Sequence, residues 1–300
     1  ESSPSIYHIG YLLGPRINAG GRVGKCSHGA NLLLNKDTKN SFQLASELDQ
    51  YNKERQLLEK DLLQKILNDT KDYSDDPVLI LSGSNWHEGI IGIVAARLKD
   101  KFNKPVIIIS LDGDIGKASA RSIIGFDIGA VIIAATHENI LLKGGGHKMA
   151  GGFSIKVENI EKFKDFVFKK FRSINIDLKS ERPLLLDSII SPSAINLEFY
   201  NKVALLSPFG SGNPEPKFII EDVKTINGKI VGEKHVKSVL IGSDGSIIKC
   251  IAFNAVENDI EAYLLKTNKK SFNIAVKLCL FEVQMLSNVE FIIHDLSVNK

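Results

Sequence analysis

Lys143-Gly144-Gly145-Gly146-His147-Lys148-Met149-Ala150-Gly151-Gly152-Phe153 packs five glycines and one histidine into eleven residues. It follows a helix-like run, Asp127–Glu138, and leads into a short apolar strand near Phe153–Val157. Glycine has no Cβ, so such a loop can take φ > 0 and lets a ligand approach the backbone. Free N–H groups beside a helix start make an anion site. An imidazole there can donate to a phosphate or exchange a proton with it. A flexible surface turn also explains the glycines, but explains the histidine and the small residues 150–152 poorly.

Working outward, Val78–Ser82 reads as a buried strand, Ile90–Phe102 as an amphipathic helix and Pro105–Ser110 as a second strand. Leu111-Asp112-Gly113-Asp114 is a turn signal, which accounts for its two aspartates. Ile160–Phe171 is a further amphipathic helix. Strands alternating with helices predict an α/β domain over 75–178. Upstream, Asn40 to Lys71 contains no Gly or Pro and repeats apolar residues at helical spacing, with Asp37 and Thr38 as candidate N-caps. This predicts a long helix within 36–74, of roughly 45–50 Å at 1.5 Å per residue, acting as a strut between domains. Residues 1–35 are glycine-rich and read as the trailing end of another domain. The chain opens at Glu1 without a methionine, as a fragment or processed product does.

Downstream, Ser207–Pro216 is a turn-rich hinge closing a connecting segment, 179–214. Strand-like runs near 217–225, 236–241 and 247–253, a helical patch at 255–265, and strands at 272–283 and 289–298 follow. Three strands, a helix and two strands is the order of an OB-type barrel, predicted over 215–300. Such barrels often hold single-stranded nucleic acid, and many do not.

Composition excludes several classes. A 43% hydrophobic content and mean hydropathy of −0.01 describe an ordinary globular chain. The apolar run Ile128–Ala135 is far short of the ~20 residues of a membrane helix, and no signal peptide opens the chain. Cys26, Cys250 and Cys279 lack CxxC spacing and read as free cytosolic thiols. The net charge of +3 is too small to identify a polyanion partner, so any such binding needs local placement of charge. No dinucleotide fingerprint, Walker-type phosphate loop or serine elbow is present. The seven histidines never pair at metal-ligand spacing, and no carboxylate cluster suits two divalent metals.

Several segments are candidates for phosphate. Arg22, with Asn18, follows a Gly-Gly pair, and reads equally as a bidentate phosphate ligand or as an arginine paired across a turn. In Ser119-Ala120-Arg121-Ser122, alternation would put Ser119 and Arg121 on one face, as a phosphate pair or as part of a polar hairpin. Gly145, Gly146 and His147 form the third candidate. Trp86, in Trp86-His87-Glu88-Gly89, is either a base-stacking residue or core. Lys224, Lys229, Lys234, His235 and Lys237 form a basic stretch in the tail, either a solvated face or a groove flank.

Taken together these segments resemble the RecJ family of bacterial single-strand-specific exonucleases, within the DHH phosphoesterase superfamily. Gly14–Arg22 is similar to the family's Pro-Arg-x-Asn-Ala-x-Gly-Arg, and Leu48–Arg55 to the start of its linker helix. Trp86–Val94, Ser119–Ser122 and Gly145–Phe153 resemble its DHHA1 domain, and Ser207–Phe218 the entry to its OB fold. Gly151 stands where the family has the second alanine of Gly-Gly-His-x-x-Ala-Ala-Gly, and Ala118 where a glycine is common. The resemblance implies an α/β DHHA1-like domain plus an all-β OB-fold-like domain, joined to a long N-terminal linker helix, with 1–35 as the tail end of a DHH catalytic domain. It implies 5′-to-3′ degradation of single-stranded DNA in repair and recombination, in the cytoplasm, with a single-strand-binding protein or a helicase as partner. It implies Mn2+ or Mg2+ held by upstream residues, so that this chain binds no metal and is inactive alone. His147 and Arg121 take the catalytic roles, His147 at the scissile phosphate and Arg121 with Ser119 at the adjacent one. Arg22, Asn18, Ser122, Gly145, Gly146, Trp86, Lys234 and Lys237 take substrate-binding roles. Two alternatives stay open: a catalytically silent single-stranded nucleic-acid-binding module, and a DHH-family phosphodiesterase acting on short oligonucleotides. An editing-type accessory domain is disfavoured by the Ser-x-Arg-Ser segment and the barrel.

Overall fold

A computed structural model describes residues 6–68, 76–174, 183–265, 270–283 and 286–298. The chain divides into two compact units, 1–181 and 182–300. The expected helix end at 69–71 and the start of the expected connecting segment, 179–182, lie outside the described residues.

In the first unit, α1 (Gly14–Val23) and α2 (Ser27–Leu34) lie against the long α3 (Thr38–Asn68). The Asp37 carboxylate accepts from the N–H groups of Lys39 and Asn40 and starts α3. Gly14–Arg22 is therefore helical, not a flexible Gly-Gly turn. Gly20 is buried, and a Cβ there would come 2.6 Å from the Lys25 carbonyl; a Cβ on the exposed Gly24 would strike the Tyr51 ring at 2.5 Å. These glycines permit close packing of α1 and the turn after it.

The α/β part follows as β1 (Leu79–Ser84), α4 (Glu88–Phe102), β2 (Val106–Asp112), β3 (Ile115–Arg121), α5 (Ile128–His137), β4 (Lys143–His147), β5 (Ala150–Lys156) and α6 (Ile160–Arg172). The sheet order is β1-β2-β3-β5-β4, with β1 and β2 parallel and the other pairs antiparallel. A parallel pair needs a crossover, which α4 supplies. Residues 106–109 of β2 are all buried, because α3 and α4 cover one face and α5 and α6 the other. Val106 and Ile108 meet Ile90, Val94, Leu98 and Leu62 on the first side. Ile107 and Ile109 meet Ile128, Ile132, Phe163 and Val167 on the second. Nδ1 of His87 accepts from the Gly89 N–H to cap α4, and Asp127 accepts from the Ala130 N–H to cap α5. The aspartate pair sits as expected at the β2–β3 turn, with Gly113 at φ +54.

The glycine stretch departs from expectation. It is a hairpin, β4 and β5 joined through Lys148-Met149, and none of its glycines has positive φ. The glycines serve close approach instead. A Cβ on Gly144 would come 2.6 Å from Ile132 Cγ2, and one on Gly129 of α5 would come 2.8 Å from the His147 nitrogen. Helix and hairpin thus pack backbone to backbone.

The second unit contains β6 (Ser188–Ile189), α7 (Leu197–Ala204), β7 (Phe218–Val231), β8 (His235–Ile241), β9 (Ile247–Ala252), α8 (Asp259–Leu265), β10 (Phe272–Val283) and β11 (Leu286–Val298). Strands run β10-β11-β9-β8-β7, and β7 also pairs with β10, closing a five-stranded OB-like barrel. Closure leaves no unpaired edge in the ring. Hydroxyls of Thr225 and Ser238 donate to the Tyr263 and Leu264 carbonyls and fix α8 to the barrel. Residues 183–214, the described part of the expected connecting segment, pack onto this barrel. β6 pairs with β7, and Ile190, Ile195, Phe199 and Val203 lie against its core. The helix α7 had no reading in the sequence.

Candidate functional site

Register decides which side chains share the open sheet face. Arg121 pairs with Ala150 and Ala150 with His147. Ser119, Gly152 and Gly145 form the next row, and Lys117, Ser154 and Lys143 the one after. Alternation puts all nine on one face, opposite Ala118, Ala120 and Phe153 in the core. The expected placing of Ser119 and Arg121 on one face is thus realised.

Two glycines of α4 complete the site. A Cβ on Gly92 would come 2.8 Å from Ser119 Oγ and 2.9 Å from an Arg121 Nη. A Cβ on Gly89 would run into the Arg22 carbonyl, so the end of α1 seats directly on the start of α4. Arg22 then donates from Nη1 to the Gly89 carbonyl at 3.1 Å. The result is a cleft of about 470 Å³ lined by Asn18, Gly21, Arg22, Glu88, Gly89, Gly92, Ser119 and Arg121. Arg121 is half-buried and donates to Ser119 Oγ at 3.3 Å and to the Ala120 carbonyl at 2.8 Å. Burial holds its guanidinium below the usual arginine range, and the like charge of Arg22 adds to the effect. Two cations held together in a partly desolvated cleft favour an anion between them.

A second cleft of about 590 Å³ continues past Ser119 and Glu88 to Lys117, Lys143, Gly145, Gly152 and Ser154. Glu88, which borders both hollows, forms an ion pair at 2.8 Å with Lys117 of the second. Glu88 raises the Lys117 pKa by hydrogen bond and by charge, so Lys117 stays a cation. None of Glu88, Lys117, Lys143 and Ser154 was itself a candidate site residue in the sequence. The parity of 117, 119 and 121 along one strand was the available signal.

His147 is exposed at the end of β4, and its Nδ1 accepts from the Met149 N–H at 3.3 Å. It shares the face of Arg121 but borders neither hollow. The other candidate residues lie elsewhere. Ser122 is buried, and its hydroxyl donates to the Phe126 carbonyl at 2.6 Å, so it holds a loop. Gly146 faces away from the cleft, with a Cβ there only 2.6 Å from Gly151 Cα. Trp86 is half-buried, packs on Gly83 and borders a separate hollow with Leu58, Leu62 and Ile90. Lys237 is paired with Glu290 at 3.2 Å and lies over the Phe281 ring. Lys234 is exposed beside Asn254 and Glu257 in the barrel unit. Among the described residues no group of three His, Cys, Asp or Glu could hold a metal ion, and no helix is long and apolar enough to cross a membrane.

Family models match a DHHA1 domain at residues 75–173 and a RecJ OB domain at 186–295. The single-stranded-DNA-specific exonuclease RecJ of Haemophilus influenzae is 33% identical over 258 residues, covering 82% of this chain and 44% of that protein. The same-named protein of Bacillus subtilis is 30% identical over 258 residues, covering 83% and 32%. The chain thus spans less than half the length of these relatives. The crystal structure of RecJ in complex with Mn2+ from Thermus thermophilus matches 99% of this chain and 42% of its own, at TM-score 0.83 and 25% identity. The donor set here does not fit such a metal. The cleft offers guanidinium, ammonium, hydroxyl and amide groups, and its one carboxylate, Glu88, is already paired with Lys117.

Proposed function

We propose, because the chain belongs to the RecJ family and carries a DHHA1 domain followed by a RecJ OB domain, that it is the substrate-gripping portion of a 5′-to-3′ single-stranded-DNA exonuclease of repair and recombination. The observation that carries this reading is the meeting of Arg22 and Arg121 over Ser119 in one cleft. In the reading, the two guanidiniums and the hydroxyl hold one backbone phosphate. His147, on the same face and two strands further out, orients the neighbouring, scissile phosphate. The barrel guides the rest of the strand, with Lys234 at its rim. Catalytic Mn2+ or Mg2+ belongs to aspartates and histidines outside this chain. A single-strand-binding protein or a helicase supplies the strand in the cytoplasm.

The chain alone is then expected to bind single-stranded DNA in a salt-sensitive way and to leave it intact in the presence of Mn2+. Degradation by the purified chain, abolished by His147→Ala, would overturn the division of labour. In the complete protein, Arg121→Ala should lower turnover about a hundredfold through lost positioning, with the melting temperature held. A drop in melting temperature instead would return Arg121 to the polar-hairpin reading.

A further inference from the structure

We infer that the cleft carries a second anion subsite, formed by Lys117, Lys143 and Ser154, which takes a further phosphate of the same nucleotide chain. The inference rests on the reading of the Arg22–Arg121–Ser119 cleft as a phosphate site. Three observations place the subsite. Register aligns Lys117, Ser154 and Lys143 as one row across β3, β5 and β4, on the same face as Arg121. The row between them is nearly bare. A Cβ on Gly145 would meet nothing within 4 Å, so the floor joining the two ends is open backbone. The 590 Å³ hollow lies over this floor and shares Ser119 and Glu88 with the first cleft.

Charge and distance select the occupant. The hollow is bordered by two ammonium groups and one carboxylate, and the carboxylate is paired with Lys117. Lys143 has no ion pair among the described residues, so its charge is available. The Ser154 side chain belongs to the same row, between the two lysines. Four residues along β3 separate the Lys117 row from the Arg121 row, about 13 Å at strand rise. One phosphate group cannot span that, so the two subsites engage different phosphates of an extended strand. Product or substrate would be held at both ends of the bare floor rather than at one terminal group.

The test is binding of 5′-phosphorylated oligothymidylates of one to six nucleotides to the 300-residue chain, by fluorescence anisotropy at several salt concentrations. Wild type should gain affinity at the length that first delivers a phosphate to the second subsite. Lys143→Gln leaves the Glu88–Lys117 pair in place and should remove most of that gain, while Lys117→Gln/Lys143→Gln removes it all. The slope of log Kobs against log salt should then fall by about 0.7, one phosphate's worth on a single strand. Both lysines are exposed, so the fold should tolerate these changes. If the lysine variants keep the gain and slope while Arg121→Ala weakens every length, the second subsite is refuted and the first cleft stands. If Arg121→Ala also changes nothing, the phosphate reading of the cleft falls and the second subsite with it.

Discussion

Gly151 shows how one missing methyl is settled by a neighbour. In the resemblance to the RecJ family an alanine stands at this position, and here a Cβ would collide with the Cδ1 end of Ile132 and come 3.0 Å from the Gly145 carbonyl. Ile132 is fully buried between α5 and the hairpin, so it has little room to turn away. Gly151→Ala should therefore cost about 1 kcal/mol by overpacking. With Ile132→Val already in place, the same change should be neutral or stabilising by about 0.5 kcal/mol, since alanine restricts the unfolded chain. Urea unfolding of the four proteins in this cycle measures the coupling. An equal loss in both backgrounds would mark the Gly145 carbonyl as the obstacle instead. Gly89 and Gly92 act by the same logic toward the cleft, making space for the Arg22 backbone and the Arg121 side chain.

At the scale of elements, α3 is tied to α4 by Glu59, which is buried and accepts from Arg55 at 2.7 Å while also pairing with Arg97. This bond keeps α4, and with it Gly89 and Gly92, in register under α1. In the barrel unit the short turn after β8 is clamped to the segment at 191–193. Asp244 accepts from Ser191 Oγ at 2.8 Å, the Ser193 N–H at 3.1 Å and the Ser246 N–H at 2.9 Å. These bonds, led by the Ser246 N–H, hold its carboxyl well below the ordinary carboxylate range. A lowered folded pKa contributes stability that is complete above the unfolded value of 3.8 and is lost as pH falls through the folded value. The melting-temperature gap between wild type and Asp244→Asn should thus stay constant from neutral pH to about pH 5 and narrow only below about pH 4. A gap that closes near pH 6, or that persists undiminished in strong acid, would rule out this carboxylate as the clamp.

At the scale of the whole molecule, the barrel core among the described residues draws on side chains between Ile190 and Leu296. Residues 182–300 expressed alone should fold and melt in one cooperative transition, read by circular dichroism. A non-cooperative melt would show that the first unit is needed. Much of this architecture was legible in the chain. The apolar rhythm of Ile90–Phe102 and Ile160–Phe171, the β-branched run at 106–109 and the strand-helix-strand order of the tail each bury by local periodicity, so their types and order follow from sequence. β4 was not legible, because Lys143–His147 carries three glycines and none of the branched side chains that mark a strand. Ser122 and Gly146 matched the pattern of ligand residues, yet Ser122 holds a loop and Gly146 packs against Gly151. Periodicity and composition were enough for the α/β region, the barrel, most of their element order and the residue types suited to phosphate, though not for α7 or β4. Which of those residues meet depended on packing between distant segments. Arg22 and Arg121 are far apart along the chain, and they come together because two glycines on α4 let α1 and β3 close on it, a contact between backbones that leaves no periodic trace.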